Sequence, residues 1–285
     1  MFETLVDGLA FGEGPRWHEG EQRLYFSDMH DGKVLAVDGD GHMDVIAEIK
    51  HDPSGLGWLP DGRLLIVSMR DRKVLVQDEL GALSEYADLS AIATFHCNDM
   101  VVDNQGRAYV GNFGFDLHAG EADSFAPATL AIIEPDGTVK PGPDEMYFPN
   151  GSVITDDGKT LVVAESFGGR LAGFDIAPDG SLSNRRIWAQ CPDGVTPDGI
   201  CMDIAGDIWI TCPSTGKVYL IAEGGAVKET LTPTQKAFAC MLGGPDGKTL
   251  FVLTAADSHP DRSKEARSGK LEVIRVAAGR GYAIP

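Results

Sequence analysis

Apolar residues in this chain fall in short runs rather than long stripes, and the runs recur. Arg23-Leu24-Tyr25-Phe26, Arg63-Leu64-Leu65-Ile66-Val67, Arg107-Ala108-Tyr109-Val110, Thr160-Leu161-Val162-Val163, Asp207-Ile208-Trp209-Ile210 and Thr249-Leu250-Phe251-Val252 each follow a turn ending in glycine. Those glycines are Gly20, Gly62, Gly106, Gly158, Gly206 and Gly247. A second turn and another apolar run come next, most plainly in Lys33-Val34-Leu35-Ala36-Val37 and Lys217-Val218-Tyr219-Leu220-Ile221. Short apolar runs bounded by Gly, Asp and Pro read as strands, and helical periodicity is nearly absent. The window 89–94 predicts one short turn of helix at most.

A distinctive segment opens each unit, about seven or eight residues ahead of the glycine turn. These segments are Gly12-Glu13-Gly14, Pro53-Ser54-Gly55, Cys97-Asn98-Asp99, Pro149-Asn150-Gly151, Pro197-Asp198-Gly199 and, less clearly, Phe238-Ala239-Cys240. Six units of roughly 42 to 52 residues, with about four short strands each, predict an all-β, six-bladed β-propeller. A β-sandwich would account for the strands but not for the six repeats. The chain, 1–285, is expected to form one domain around a central metal-binding channel. An apolar stretch near Leu5 to Phe11 precedes the first opening segment, and the last unit ends near Lys270-Leu271-Glu272-Val273-Ile274. One terminus is therefore expected to complete the blade begun at the other, leaving no sheet edge open. The third unit is the longest. Its extra residues, Leu117 to Thr129, are read as a lid over one mouth of the channel or as a tolerated surface insertion.

With 43% hydrophobic residues the chain can bury a large core, and no apolar run approaches the ~20 residues that span a bilayer. A net charge of −19 argues against nucleic acid and anionic membrane as partners and leaves a small-molecule substrate. Oligomeric state is not legible. The start, Met1 to Ala10, contains Glu3 and Asp7 and lacks the basic and apolar regions of a signal peptide. The five cysteines are odd in number and form no Cys-x-x-Cys pair, so free thiols in a reducing, cytoplasmic setting are expected.

In a propeller the innermost strand of each blade starts at one mouth of the channel, so equivalent residues face one another. Here those positions carry Glu13, Ser54, Asn98, Asn150, Asp198 and Ala239 or Cys240. Asn-Gly and Asp-Gly also make turns, which would suffice at any one position. At four matched positions, two carboxylates and two carboxamides point to a site instead. Buried charges cost several kcal/mol unless paired or bound to a cation, and no Lys or Arg holds an equivalent position. The donor set is all oxygen, without zinc-type His or Cys spacing. One divalent ion is expected, with Ca²⁺ favoured by its flexible geometry, Mg²⁺ and Mn²⁺ also suited, and Zn²⁺ able to bind.

Together with Gly12-Glu13-Gly14-Pro15-Arg16-Trp17 and Pro197-Asp198-Gly199-Ile200, these motifs resemble the signatures of the senescence-marker-protein/regucalcin/gluconolactonase family over nearly the whole chain. The resemblance implies a six-bladed propeller that binds one divalent metal and hydrolyses a lactone. It implies Glu13, Asn150 and Asp198 as metal ligands, Asn98 beside the metal holding substrate, and Asp198 as the catalytic carboxylate that activates water. Sugar-lactone members carry Arg two positions before the central Asn, where this chain has His96. The residue after Asn-Asp is usually Gly and here is Met100. Asp116 stands where many members place a substrate-binding Glu. His96 and Asp116 are thus expected to shape an altered substrate shell, and gluconolactone is not the expected substrate. His96 is also a possible proton shuttle.

Trp58, Phe95, Phe113, Phe115, Phe148, Phe167 and Trp209 lie near strand starts or loops, and fewer than half are expected to line the cavity. Two other classes stay open: a metal-dependent phosphotriesterase, hydratase or lyase on the same site, or a binding propeller with a structural metal.

Overall fold

A computed structural model of the chain describes residues 1–118 and 125–281. Its strands form six four-stranded antiparallel sheets, each meandering outward from an innermost strand. The six innermost strands are Gly12–His18, Pro53–Trp58, Cys97–Val102, Pro149–Ile154, Ile200–Met202 and Lys236–Gly243. Each contacts the next, and the sixth contacts the first, closing a ring of six blades. The propeller expected from the repeat is the fold observed.

Burial follows distance from the axis. Second strands such as Leu64–Ser68 and Ala108–Asn112 are buried at every position, because neighbouring blades cover both faces. That is why they read as continuous apolar runs rather than alternating ones. Outermost strands such as Leu83–Asp88 and Val227–Leu231 are largely exposed and polar. The last blade is shared between the termini. Glu3–Leu9 is its outermost strand and pairs antiparallel with Gly269–Arg275, from Glu3↔Val273 to Leu9↔Gly269.

The glycine turns behave as expected in five blades, where Gly62, Gly106, Gly158, Gly206 and Gly247 all have positive φ. In the first blade the left-handed residue is Gln22 (φ 53°), not Gly20. Gln22 N–H closes the turn on Glu19 O, as Gly62 N–H does on Leu59 O. The turn is retained although its residue pays the usual ~1 kcal/mol for that conformation.

Residues 89–94 do form a turn, with Ala93 N–H donating to Leu89 O at 2.8 Å. The sequence reading missed a helix, Pro260–Ala266, inserted between two strands of the sixth blade. Its signals were Pro at the first helical position and Asp261 in the first turn. Of the expected lid, residues 119–124 lie outside the described residues. On its flanks, Leu117 and His118 line the central cavity and Phe125 packs on Phe115 at 5.4 Å. All five cysteines are buried and none forms a disulfide. Among the described residues, no helix is long and apolar enough to cross a membrane.

Candidate active site

Glycines in four of the six opening segments, Gly14, Gly55, Gly151 and Gly199, let consecutive blades crowd together. A Cβ on Gly55 would lie 2.4 Å from Met100 N, and one on Gly151 would lie 2.5 Å from Ile200 N and 2.8 Å from Asp198 O. Backbone from consecutive blades therefore touches, and the side chains just before three of these glycines, Glu13, Asn150 and Asp198, are turned toward the mouth.

There the structure holds a cavity of about 360 Å³, within the range of small-molecule sites. Glu13, Asn98, Asn150 and Asp198 all line it, and His96 stands on its wall. The sixth blade contributes Phe238, not Ala239 or Cys240. Ala237 pairs with Thr254 as Pro53 pairs with Ser68, and Thr211 Oγ1 donates to Phe238 O as Ser27 Oγ donates to Ser54 O. The sequence had no polar residue there to mark the register. Ser54, at the matching position of the second blade, is buried but does not line the cavity.

Asp116 is the predicted residue left outside. It is exposed, it is not part of the cavity wall, and its Oδ1 accepts from His118 N–H at 3.0 Å.

The polar groups are held in place by their neighbours. Asn98 Nδ2 donates to Pro149 O at 3.2 Å, and Ser166 Oγ donates to Pro197 O at 2.7 Å. Asn150 Nδ2 approaches Ser166 Oγ at 3.4 Å. These bonds use the NH₂ ends of both carboxamides and leave their oxygens to the cavity. Asp198 Oδ1 is buried and has no hydrogen-bond partner.

Burial, and then the charge of Asp99, push the Glu13 carboxyl up to about 8. Burial, and then Glu13, push Asp198 well above the usual carboxylate range. Such a pair is costly when both members are ionised. An orphaned carboxylate oxygen, a second unneutralised carboxylate and two free carboxamide oxygens suit a hard divalent cation.

No Lys or Arg holds an equivalent position, but a guanidinium reaches this region from three residues past Glu13. Arg16 is 4% exposed, and its Nη2 lies 2.9 Å from Asp99 Oδ1 and also contacts Met100 O. A bulge between Glu13 and Arg16, with Gly14 at φ 55°, carries Arg16 out of the simple strand register. Arg16 is engaged chiefly with Asp99, and its charge only partly offsets the rise at Glu13. Elsewhere, Asp38, Asp40 and His42 cluster in an outer turn, but Asp38 Oδ1 there accepts the N–H groups of Asp40 and His42 at 2.9 Å each, so turn formation accounts for them.

The walls are aromatic. Of the seven aromatics singled out, Phe113, Phe148 and Phe167 line the cavity; Phe11 and Phe238 were missed. Phe113 packs on Phe148 at 4.7 Å and Phe148 on Phe167 at 5.0 Å, with Phe115 behind them. His96 stacks on Phe95 at 4.1 Å, and burial lowers its pKa, favouring the neutral ring. Trp58 instead packs edge-on against Tyr25 at 5.2 Å, and Trp209 belongs to the core.

The raised carboxyls give a pH signature. Groups that titrate higher in the folded than in the unfolded chain leave the folded state holding more protons between about pH 4.5 and 8, so stability falls as pH rises through that window. Metal-free protein is expected to lose on the order of 5 °C or more in Tm across it. Excess Ca²⁺ should restore the loss at the upper end, and Glu13→Gln should flatten the slope. Thermal melts across this window, with and without Ca²⁺, decide; a Tm at pH 8 that ignores every divalent ion would count against a metal at this site.

A family model described as "SMP-30/Gluconolactonase/LRE-like region" matches residues 11–256. The chain is 30% identical over 285 residues to the pentonolactonase XacC of Haloferax volcanii, covering 96% of this chain and 94% of that protein. Among solved structures it is similar to a gluconolactonase from Xanthomonas campestris (TM-score 0.76, 24% identity, 100% of this chain and 89% of that one). It is also similar to a calcium-binding regucalcin from Agrobacterium tumefaciens (TM-score 0.81, 18% identity, 98% and 95%). With the opening motifs brought together at one mouth of a six-bladed ring, the chain belongs to the SMP-30/gluconolactonase/LRE-like family.

Proposed function

We propose that this protein is a divalent-metal-dependent lactonase acting on a lactone with a more apolar body than an aldonolactone. The observation that carries the reading is the buried Asp198 carboxylate, with Oδ1 unpartnered, sharing with Glu13 a cavity walled by phenylalanines. Lactone hydrolysis accords with the lactonases among its relatives.

Glu13, Asn150 and Asp198 would hold the ion, with Asn98 beside it. A bound ion supplies Lewis acidity toward the ester carbonyl and charge compensation for the developing oxyanion. The chain supplies the rest. Asp198 Oδ1 takes a proton from the attacking water and returns it to the alkoxide as the ring C–O bond breaks, so water and lactone give a hydroxy acid with the proton count balanced. Asn98, tied to Pro149 O, presents its amide oxygen to substrate hydroxyls or to the ion. The phenylalanine wall takes the substrate's apolar body and excludes water. His96, neutral and stacked on Phe95, stands where sugar-lactone enzymes place a cation and offers less to a polyhydroxylated chain.

Chelation followed by add-back of Ca²⁺, Mg²⁺, Mn²⁺ or Zn²⁺, assayed on a panel of lactones and aryl esters, tests both halves. Activity should vanish and return to differing degrees, and apolar lactones should exceed gluconolactone in kcat/KM. His96→Arg should move preference toward polyhydroxylated lactones. Full activity in protein shown by elemental analysis to be metal-free would remove the metal from the reading. An aldonolactone as best substrate of the panel would remove the substrate argument.

A further inference from the structure

The aromatic wall, supplied by blades three and four, covers one side of the cavity. The opposite side carries charged groups beside Phe11, which stacks on His30 at 5.0 Å. His30, Asp52, Arg70 and Lys264 line both the central cavity and a second one of about 480 Å³, so the two adjoin along that edge. This annex holds Lys33, Lys50, Arg70 and Lys264, in a chain whose net charge is −19.

Two of the four cations are spoken for. Lys33 Nζ pairs with Asp31 at 2.7 Å, and Arg70 Nε with Asp52 at 3.0 Å. Among the described residues, Lys50 and Lys264 have no carboxylate within 4.0 Å, and Glu48 is the annex's one acid left without a cation at that distance. Within the annex the balance of unengaged charge is positive, while Asp261, on the same helix as Lys264, lines only the central cavity.

Lys264 is also well placed. It sits on the helix Pro260–Ala266, which packs on the single turn Met29–Asp31. Ser263, buried beneath the helix, donates through Oγ to Asp257 O at 3.0 Å. His30 Nε2 lies 3.1 Å from Ser258 O, and because a carbonyl only accepts, that nitrogen carries the proton. The helix is therefore tied to the first blade, and its lysine faces the junction of the two cavities.

We propose that the substrate carries an anionic group, a carboxylate or a phosphate, on the arm opposite its apolar body, and that Lys264, the unpaired lysine shared by the two cavities, holds that group at the entrance to the annex. The inference rests on the lactonase reading only in placing the ester carbonyl at the Glu13, Asn150 and Asp198 end.

The test uses a δ-lactone with a carboxylate-terminated side chain, its primary amide and its phosphate-terminated analogue, with the metal-loaded enzyme. kcat/KM should favour the charged lactones over the amide; whichever anion is preferred names the natural group. Lys264→Gln should cut kcat/KM for the charged lactones about three- to tenfold, mainly through KM, and leave the amide unchanged. Lys264→Glu should reverse the preference. Raising salt from about 0.05 M to about 0.5 M should erode it. Calorimetric binding of the ring-opened hydroxy acids, charged against amide, supplies a readout independent of turnover. Hydrolysis of all three lactones with equal kcat/KM, unmoved by Lys264→Gln, overturns the annex and leaves the lactonase reading standing. No hydrolysis, but tighter binding of the charged acids that Lys264→Gln abolishes, sustains the annex and overturns the lactonase. Absence of any charge preference in both turnover and binding also overturns the annex.

Discussion

Asp198→Asn is expected to lower turnover by about 10²–10⁴-fold at saturating metal, the usual range for loss of a positioned proton acceptor. The substitution keeps an oxygen donor of nearly the same shape and removes the charge and the basic site. Metal affinity should fall only moderately, because Asn98 and Asn150 already supply neutral oxygens around the same space. Asp198→Ala should lose both metal and turnover. Glu13→Gln gives the contrast. Its carboxyl is buried beside Asp99 and accepts Gly14 N–H at 3.2 Å, so its change should appear mainly as weaker metal binding that excess metal partly rescues. Calorimetric metal affinities, set beside turnover at saturating metal, separate the two roles. Equal rescue of both variants by excess metal would make Asp198 a ligand only and move the base elsewhere, with His96 the next group on the cavity wall.

Gly151→Ala is the second large effect. Its new Cβ would stand 2.5 Å from Ile200 N and 2.8 Å from Asp198 O, both backbone atoms of the adjoining blade. No flexible side chain can yield there, so the ring must open locally, at a cost of about 1–3 kcal/mol. The atoms that must move belong to Asp198 itself. Turnover should therefore fall further than the loss of stability explains, since displacements near 1 Å at a reacting site can cost about 10²-fold. Gly206→Ala is the control. Unlike Gly151 it has a positive φ (83°), and nothing lies within 4 Å of its new Cβ, so it should show backbone strain of about 1 kcal/mol and native turnover. Melting temperature and turnover, measured together on both variants, distinguish a clash at the site from general strain. Native values of both for Gly151→Ala would mean the blades are not in the close contact described.

Strand starts and glycine turns were readable because each is a local event: a polar opening residue, a short apolar run, a residue able to adopt positive φ. Where a blade departs from the shared chemistry, the reading slipped. The sixth opening position holds Phe238, whose side chain looks like core, and only its pairing through Ala237 and Thr254 places it at the cavity. Gln22 does the work assigned to Gly20 because hydrogen bonding, not residue type, fixes the turn. Arg16 was invisible as a channel residue because a bulge reorients it, and its partner Asp99 is far away in sequence. Asp116 matched by spacing alone, yet the loop leaves it exposed. The helix Pro260–Ala266 was too short for its periodicity to stand out, although it closes one side of the mouth.

The shared sixth blade has a consequence for the order of events on the ribosome. Glu3–Leu9 is made about 260 residues ahead of its partner Gly269–Arg275. At about 5–20 residues per second, the leading strand waits roughly 13–50 s with both edges unpaired. Over that interval the nascent chain carries an open template for other chains to join. Glu3 and Asp7, exposed in the finished ring, put negative charge on that waiting strand and discourage a stranger from pairing with it. Changes within Glu3–Leu9 would therefore act less on the cavity than on yield, by changing how safely an early strand waits for a late one.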